Sequence, residues 1–190
     1  MNQAPRLHSL TRCYHEAGHA VAFWHHGVQL LYVTMNPPAG SGHWGQTVPV
    51  ERELTSLTQM EAEMRCAVAG EIAENWFLPT RTELRDDSLI RCFTRDAATV
   101  VKDPDFRIND GRNFAKIGLA RDDEIRSTDR GADTGPASWL SVFREAEQLI
   151  RVELRPAVQA VAEELSRSPN DLSNDDVAAL ASAAMRRTET

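Results

Sequence analysis

Helical spacing of apolar residues dominates the chain, and one short stretch near the front shows extended spacing instead. The first helical pattern runs from Leu10 to His26, with Ser9 or Thr11 placed to cap its start. Gly27 stands where a left-handed residue ends a helix. Gln29–Met35 is rich in β-branched and aromatic residues and predicts a strand. Asn36–Trp44 (NPPAGSGHW) is turn-rich, and Gly45–Val50 reads as the returning strand of a long hairpin. Met60, Met64, Ala67, Val68 and Ile72 give Thr58–Phe77 helical spacing, which stops before Pro79.

The second half is helical throughout. Asp87 and Ser88 are placed to cap a helix over Leu89–Val101, ended by Pro104. Asp110 opens a shorter helix to Ala120. Arg121–Gly135 is charged, contains glycine and lacks periodicity, which predicts a mobile loop. Pro136 suits a first helical position, and an amphipathic helix over Ala137–Ser166 follows, bent at Pro156. Ser173 caps a last helix, Asn174–Arg187, whose Asp175 and Asp176 at one end and Arg186 and Arg187 at the other match the helix dipole. The expected fold is mainly α with a small β-hairpin, one domain over residues 1–190.

Composition narrows the function. The 190 residues include 21 Lys+Arg and 28 Asp+Glu, a net charge of −7, with 42% hydrophobic and 26% charged residues. Those proportions are ordinary for a globular chain and exclude a disordered or collagen-like one. An acidic surface without a basic patch repels phosphates, so no nucleic-acid partner is expected. Ala17–Val50 holds no Asp, Glu, Lys or Arg, yet His25, His26, Gly27, Pro37, Pro38 and Gly40 prevent one continuous apolar span. Met1–Arg6 leads into no apolar segment of the secretory kind. Cys13, Cys66 and Cys92 are odd in number and widely spaced, which points to free thiols in a reducing cytoplasm.

One motif carries chemistry. In His15-Glu16-Ala17-Gly18-His19 the two histidines are four residues apart, so on a helix they share a face and can offer two imidazoles to one cation. Zinc accepts such nitrogens, and a catalytic site leaves one position open to water. Glu16, one residue round the helix, is placed to take a proton from that water, the arrangement of zinc proteases. By chance the pattern would arise in roughly one to two shuffled chains per hundred. Its setting in the most apolar part of the chain argues against chance, because burying two histidines and a glutamate without a ligand is costly.

Tyr14-His15-Glu16-Ala17-Gly18-His19-Ala20-Val21 resembles the start of the peptidase domain of FtsH-type zinc proteases. The order continues with a strand ending in Val33-Thr34-Met35, a Pro/Gly-rich loop, and a returning segment with Gly45 and Pro49. Ala67-Val68-Ala69-Gly70-Glu71-Ile72-Ala73-Glu74 is similar to the family's small-residue helix that packs on the metal helix. The resemblance implies a helical peptidase domain of zincin type, with Zn2+ held by His15, His19 and a downstream aspartate. It covers most of the chain, although only the first motif is specific. The 190 residues hold neither the family's ATPase module, with its phosphate-binding Gly-rich loop, nor its transmembrane anchors. The expectation is therefore ATP-independent cleavage of unfolded or flexible protein segments, or delivery of substrate by a separate ATPase or adaptor.

For the third ligand the resemblance implies an aspartate at a helix start. Asp110, in Ile108-Asn109-Asp110-Gly111, is the choice; Asp87 is the main rival and Asp96 a weaker one, and both main sites lack the family's Gly-Ala-Ser lead-in. A helix N-terminus also keeps a carboxylate ionised. His43 could approach the site but reads as a surface residue, and His25 and His26 read as structural, a positive imidazole suiting a helix C-terminus. Trp24, Trp76 and Trp139 read as core, and Cys13 implies no Cys/His nucleophile pair. Glu71 and Glu74 read as solvent-facing or ion-paired, with contact to a ligating histidine as the lesser alternative. The resulting expectation is a cytoplasmic zinc metalloendopeptidase with Glu16 as general base, the substrate lying along the edge of the Gln29–Val50 hairpin. Two alternatives stay open: a regulatory protease cleaving one repressor-like partner, and a non-catalytic zinc-binding module.

Overall fold

The structure, a computed structural model, describes residues 4–38, 45–77, 109–128, 134, 136–168 and 170–188. Among the described residues the chain is mainly α with one small antiparallel hairpin, as the apolar spacing predicts. Helix α1, Ala4–His25, starts earlier than Leu10. It ends where Gly27 takes φ +68°, and Val28 N–H donates to Phe23 O at 2.9 Å and Gly27 N–H to Trp24 O at 3.1 Å. Those two bonds occupy carbonyls that the end of a helix otherwise leaves open.

Strand β1, Leu30–Thr34, pairs antiparallel with β2, Gln46–Pro49, with a bulge at Leu31. On its other side β1 exchanges two 2.9 Å backbone bonds between Val33 and Leu172. Helix α2, Leu57–Phe77, lies against α1. Their close approach depends on Gly18, where a Cβ would run into the Ala69 carbonyl oxygen and lie 2.7 Å from the Ala73 Cβ. Ser56 and Gln59 cap α2: Gln59 N–H donates to Ser56 Oγ at 3.2 Å, and Gln59 Oε1 accepts from Thr55 N–H at 2.9 Å.

The expected loop over Arg121–Gly135 is corrected at its start. Helix α3 runs from Asn109 to Ser127, so residues 121–127 are helical. Arg121 sits at an inward-facing position where an apolar residue would normally continue the pattern. It reaches Glu61 on α2 with Nε at 2.9 Å and Nη2 at 2.8 Å, and Ser138 at 3.1 Å. Asp122 beside it and Ile125 are buried too. Replacing Arg121 by methionine should lower stability by about 2–3 kcal/mol, because it removes the charge-assisted bonds to Glu61 and Asp122 from a buried position. A urea midpoint unchanged from wild type would contradict that role.

The long helix expected over Ala137–Ser166 is also corrected. Helix α4, Pro136–Gln148, passes into a wide turn, Leu149–Glu153, and helix α5 begins at Arg155. The break falls at Leu154, not at Pro156. A proline lacks an N–H and its ring crowds the carbonyl four residues back. The chain relieves this two residues early, with Leu154 N–H donating to Leu149 O at 2.8 Å, five residues away. Pro156 then lies in the first turn of α5, Arg155–Arg167, where a missing N–H costs nothing. Helix α6, Asn174–Thr188, starts as expected. Asp176 N–H donates to Ser173 Oγ at 3.2 Å, and Asp176 Oδ2 accepts from Ser173 N–H at 2.9 Å.

The core is continuous. Ala17, Ala20 and Val21 of α1 belong to one buried cluster with residues of α2, α4, α5 and β1, and Trp139 of α4 is 2% exposed. Trp24 and Trp76 are partly buried against this core. No helix among the described residues is long and apolar enough to cross a membrane. The expected helix Leu89–Val101, together with Asp87, Asp96, Cys92, His43 and most of the remaining loop to Gly135, lies outside the described residues.

Candidate metal centre

Helix α1 places His15 and His19 one turn apart on the side facing α2, their ring centroids 4.8 Å apart. Asp110, in the first turn of α3, points its carboxylate between them. Its Oδ2 lies 3.2 Å from His15 Nε2 and 3.3 Å from His19 Nε2, and the two Nε2 atoms are 3.2 Å apart. Thus the structure brings together His15, His19 and Asp110, whose donor atoms could hold a metal ion.

The other ring nitrogens decide which atoms face this point. His19 Nδ1 is 2.8 Å from the Cys66 carbonyl oxygen, which can only accept, so Nδ1 carries the hydrogen. His15 Nδ1 is 3.2 Å from Glu74 Oε2, again an acceptor when ionised. With both Nδ1 atoms donating, the two Nε2 lone pairs converge on the Asp110 oxygen. Three electron-rich atoms at that spacing repel one another unless a positive charge, a proton or a metal cation, sits among them. Of the readings for Glu71 and Glu74, Glu74 takes contact with His15, one of the candidate ligands, while Glu71 lines the adjoining cleft.

The electrostatics follow the same geometry. Burial works to lower the His15 pKa, but hydrogen bonds to Asp110 and Glu74 outweigh it and hold the imidazole well above its ordinary value. Burial also opposes the charged form of His19, and the Asp110 charge reverses that, raising its pKa. For Asp110, burial raises the carboxyl while the two imidazoles drive it far below the usual carboxylate range. The centre is therefore a carboxylate pocket that attracts positive charge.

Glu16 is buried beside the two histidines. Thr47 of β2 donates its hydroxyl to Glu16 Oε2 at 2.8 Å and lies 3.1 Å from the Glu16 main-chain oxygen. Gly45 lies flat against the same side chain: a Cβ there would be 2.7 Å from Glu16 Cγ and 2.8 Å from Oε1. Gly70 of α2 does the same for the histidines. Its Cβ would run into His19 Nε2 and lie 2.9 Å from His15 Nε2. Gly70→Ala should therefore displace the imidazoles and weaken divalent-metal binding by about 10- to 100-fold, the loss typical when a ligand's support is removed. Zinc titration of the variant checks this; wild-type affinity would refute it.

The contacts of Thr47, Gly45 and Gly70 with the site leave little local trace in the sequence. Only the run of small residues around Gly70 offers a signal, since such runs mark close helix approach. An open cleft of about 560 Å³ lies over the centre, bordered by Glu16, Thr47, Pro49, Glu71, Asn113 and Ile117. His25 and His26 take no part in it. Burial, followed by the charge of His25, pushes the His26 imidazole down to about 4, so the expected positive charge at the helix end does not apply to His26. Cys13 is buried, and burial pushes the Cys66 thiol well above its ordinary range.

No protein-family model and no curated protein matches the chain.

Proposed function

We propose that the protein is a zinc-dependent endopeptidase that hydrolyses peptide bonds in extended, flexible segments of other proteins. The observation that carries this is the meeting of two imidazole Nε2 atoms and one carboxylate oxygen at 3.2–3.3 Å, with Glu16 alongside and a cleft above. The spacing supports zinc, whose N and O ligands at about 2.0–2.1 Å in tetrahedral array lie about 3.3 Å from one another. His15, His19 and Asp110 would hold the ion, and Glu74 and the Cys66 carbonyl fix the two rings. Bound zinc would supply Lewis acidity to a substrate carbonyl and to water in the cleft.

The remaining work falls to this chain's own groups. Glu16 accepts a proton from the attacking water and passes it to the leaving amine. Thr47 and Gly45 restrict the Glu16 carboxylate to one orientation, which a general base needs. β2 borders the cleft and pairs on one side with β1, and Pro49 on it is typical of an edge strand. An extended substrate backbone added to that edge would run past Glu16. The resemblance of Tyr14–Val21 and Ala67–Glu74 to FtsH-type peptidases supports the same reading.

The test is elemental metal content of the purified chain, paired with cleavage of casein with and without chelator. One zinc per chain and chelator-sensitive cleavage are expected. A chain that takes up no divalent ion when one is supplied would sink the reading.

A further inference from the structure

The cleft does not end at the metal centre. A second cavity of about 570 Å³ shares Pro49, Glu63 and Ile117 with it. Its floor is apolar, made by Val28, Pro49, Leu54 and Ile117, with Val50 at the edge. Its rim carries Glu51, Arg52, Glu53 and Glu63. Arg52 is bound to Glu63 at 3.2 Å, whereas Glu51 and Glu53 are exposed and make no ion pair among the described residues. β2 and the residue after it connect the two cavities: Thr47 touches Glu16 at one, and Val50 borders the other. Three strand residues span about 10 Å.

From this juxtaposition we infer that the second cavity is a specificity subsite of the same groove. It takes an aliphatic side chain of the substrate about three residues from the cleaved bond, with a basic residue next to it. The inference rests on the peptidase reading for the position of the bond. Three observations lead to this occupant. A strand on the β2 edge passes both cavities, so the cavity is within reach of the same peptide. The apolar floor favours an aliphatic side chain by desolvation. Two unneutralised carboxylates on the rim favour Lys or Arg beside it and disfavour Asp or Glu.

Four fluorescent decapeptides test it, alike in a Gly/Ser/Ala background and differing at one internal dipeptide: Leu-Lys, Leu-Glu, Ser-Lys or Ser-Glu. Binding is measured by anisotropy on zinc-loaded Glu16→Gln protein, and again on metal-free wild type in case that variant is misfolded. Leu-Lys should bind at least about ten-fold more tightly than Ser-Glu, the scale of one buried aliphatic side chain. Val50→Asp should remove the advantage of Leu, and Glu53→Lys the advantage of Lys. Equal binding of all four peptides overturns the inference. With zinc-loaded wild type, cleavage of the Leu-Lys peptide should fall about three residues from the leucine; cleavage at the leucine itself also overturns it. Ranked binding without any cleavage removes the hydrolase reading and, with it, the placement of the bond, while random cleavage with unranked binding removes the subsite alone.

Discussion

Glu16→Gln is expected to leave the metal in place and to abolish hydrolysis, lowering the rate by about 10²- to 10⁴-fold, the usual worth of a positioned general base. Glutamine keeps the shape of the side chain and an oxygen that can still accept from the Thr47 hydroxyl, held at 2.8 Å in the native chain. It lacks the basicity to take a proton. The three metal-binding candidates are untouched, so zinc content should equal that of wild type. Two measurements decide it: bound zinc per chain and the rate of casein cleavage. Full zinc with unchanged cleavage would remove Glu16 from the mechanism, and lost zinc would mean that the substitution disturbed the neighbouring histidines.

Asp110→Ala should do the reverse and empty the centre, weakening zinc binding by more than about 100-fold, the upper end of what the loss of an outer partner costs. Asp110 supplies the carboxylate oxygen on which both Nε2 atoms converge, and without it two neutral imidazoles, their Nε2 atoms 3.2 Å apart, must hold the ion alone. Zinc affinity by competition with a chromogenic chelator reads the effect. Asp87→Ala serves as the control, since Asp87 was the rival for the same role. Wild-type affinity in Asp110→Ala together with loss in Asp87→Ala would transfer the third position to Asp87.

How much of this centre was legible in the sequence depends on how local each part is. His15, Glu16 and His19 were legible because a single helical turn brings them together, and four-residue spacing is visible in a string of letters. Asp110 is on another helix, and spacing alone could not choose it over Asp87; the resemblance to a family pointed to it, and the fold brings it within 3.3 Å of both histidines. Thr47 was not legible, because its contact with Glu16 depends on the hairpin folding back across α1. Glu74 faces His15 only because α1 and α2 approach closely at Gly18 and Gly70.

The errors in the fold have similar causes. Arg121 hid a helix because a charged residue occupied an inward position, its compensation being a carboxylate on α2 that a one-dimensional pattern does not show. The break before α5 falls two residues before Pro156 because the constraint at that proline acts on the carbonyl behind it. By contrast, the ends marked by Gly27 and Ser173 were read correctly, since their bonding partners lie within a few residues.

The exchange between Val33 and Leu172 has a consequence for how copies of this protein meet in solution. Strand edges invite like edges, and an unguarded one is a route to aggregation. Here the outer side of β1 is already paired at Val33 by Leu172, and β2 lines the cleft and ends in Pro49, which cannot donate to a ladder. Both features reduce the length of open strand edge that another copy could pair with.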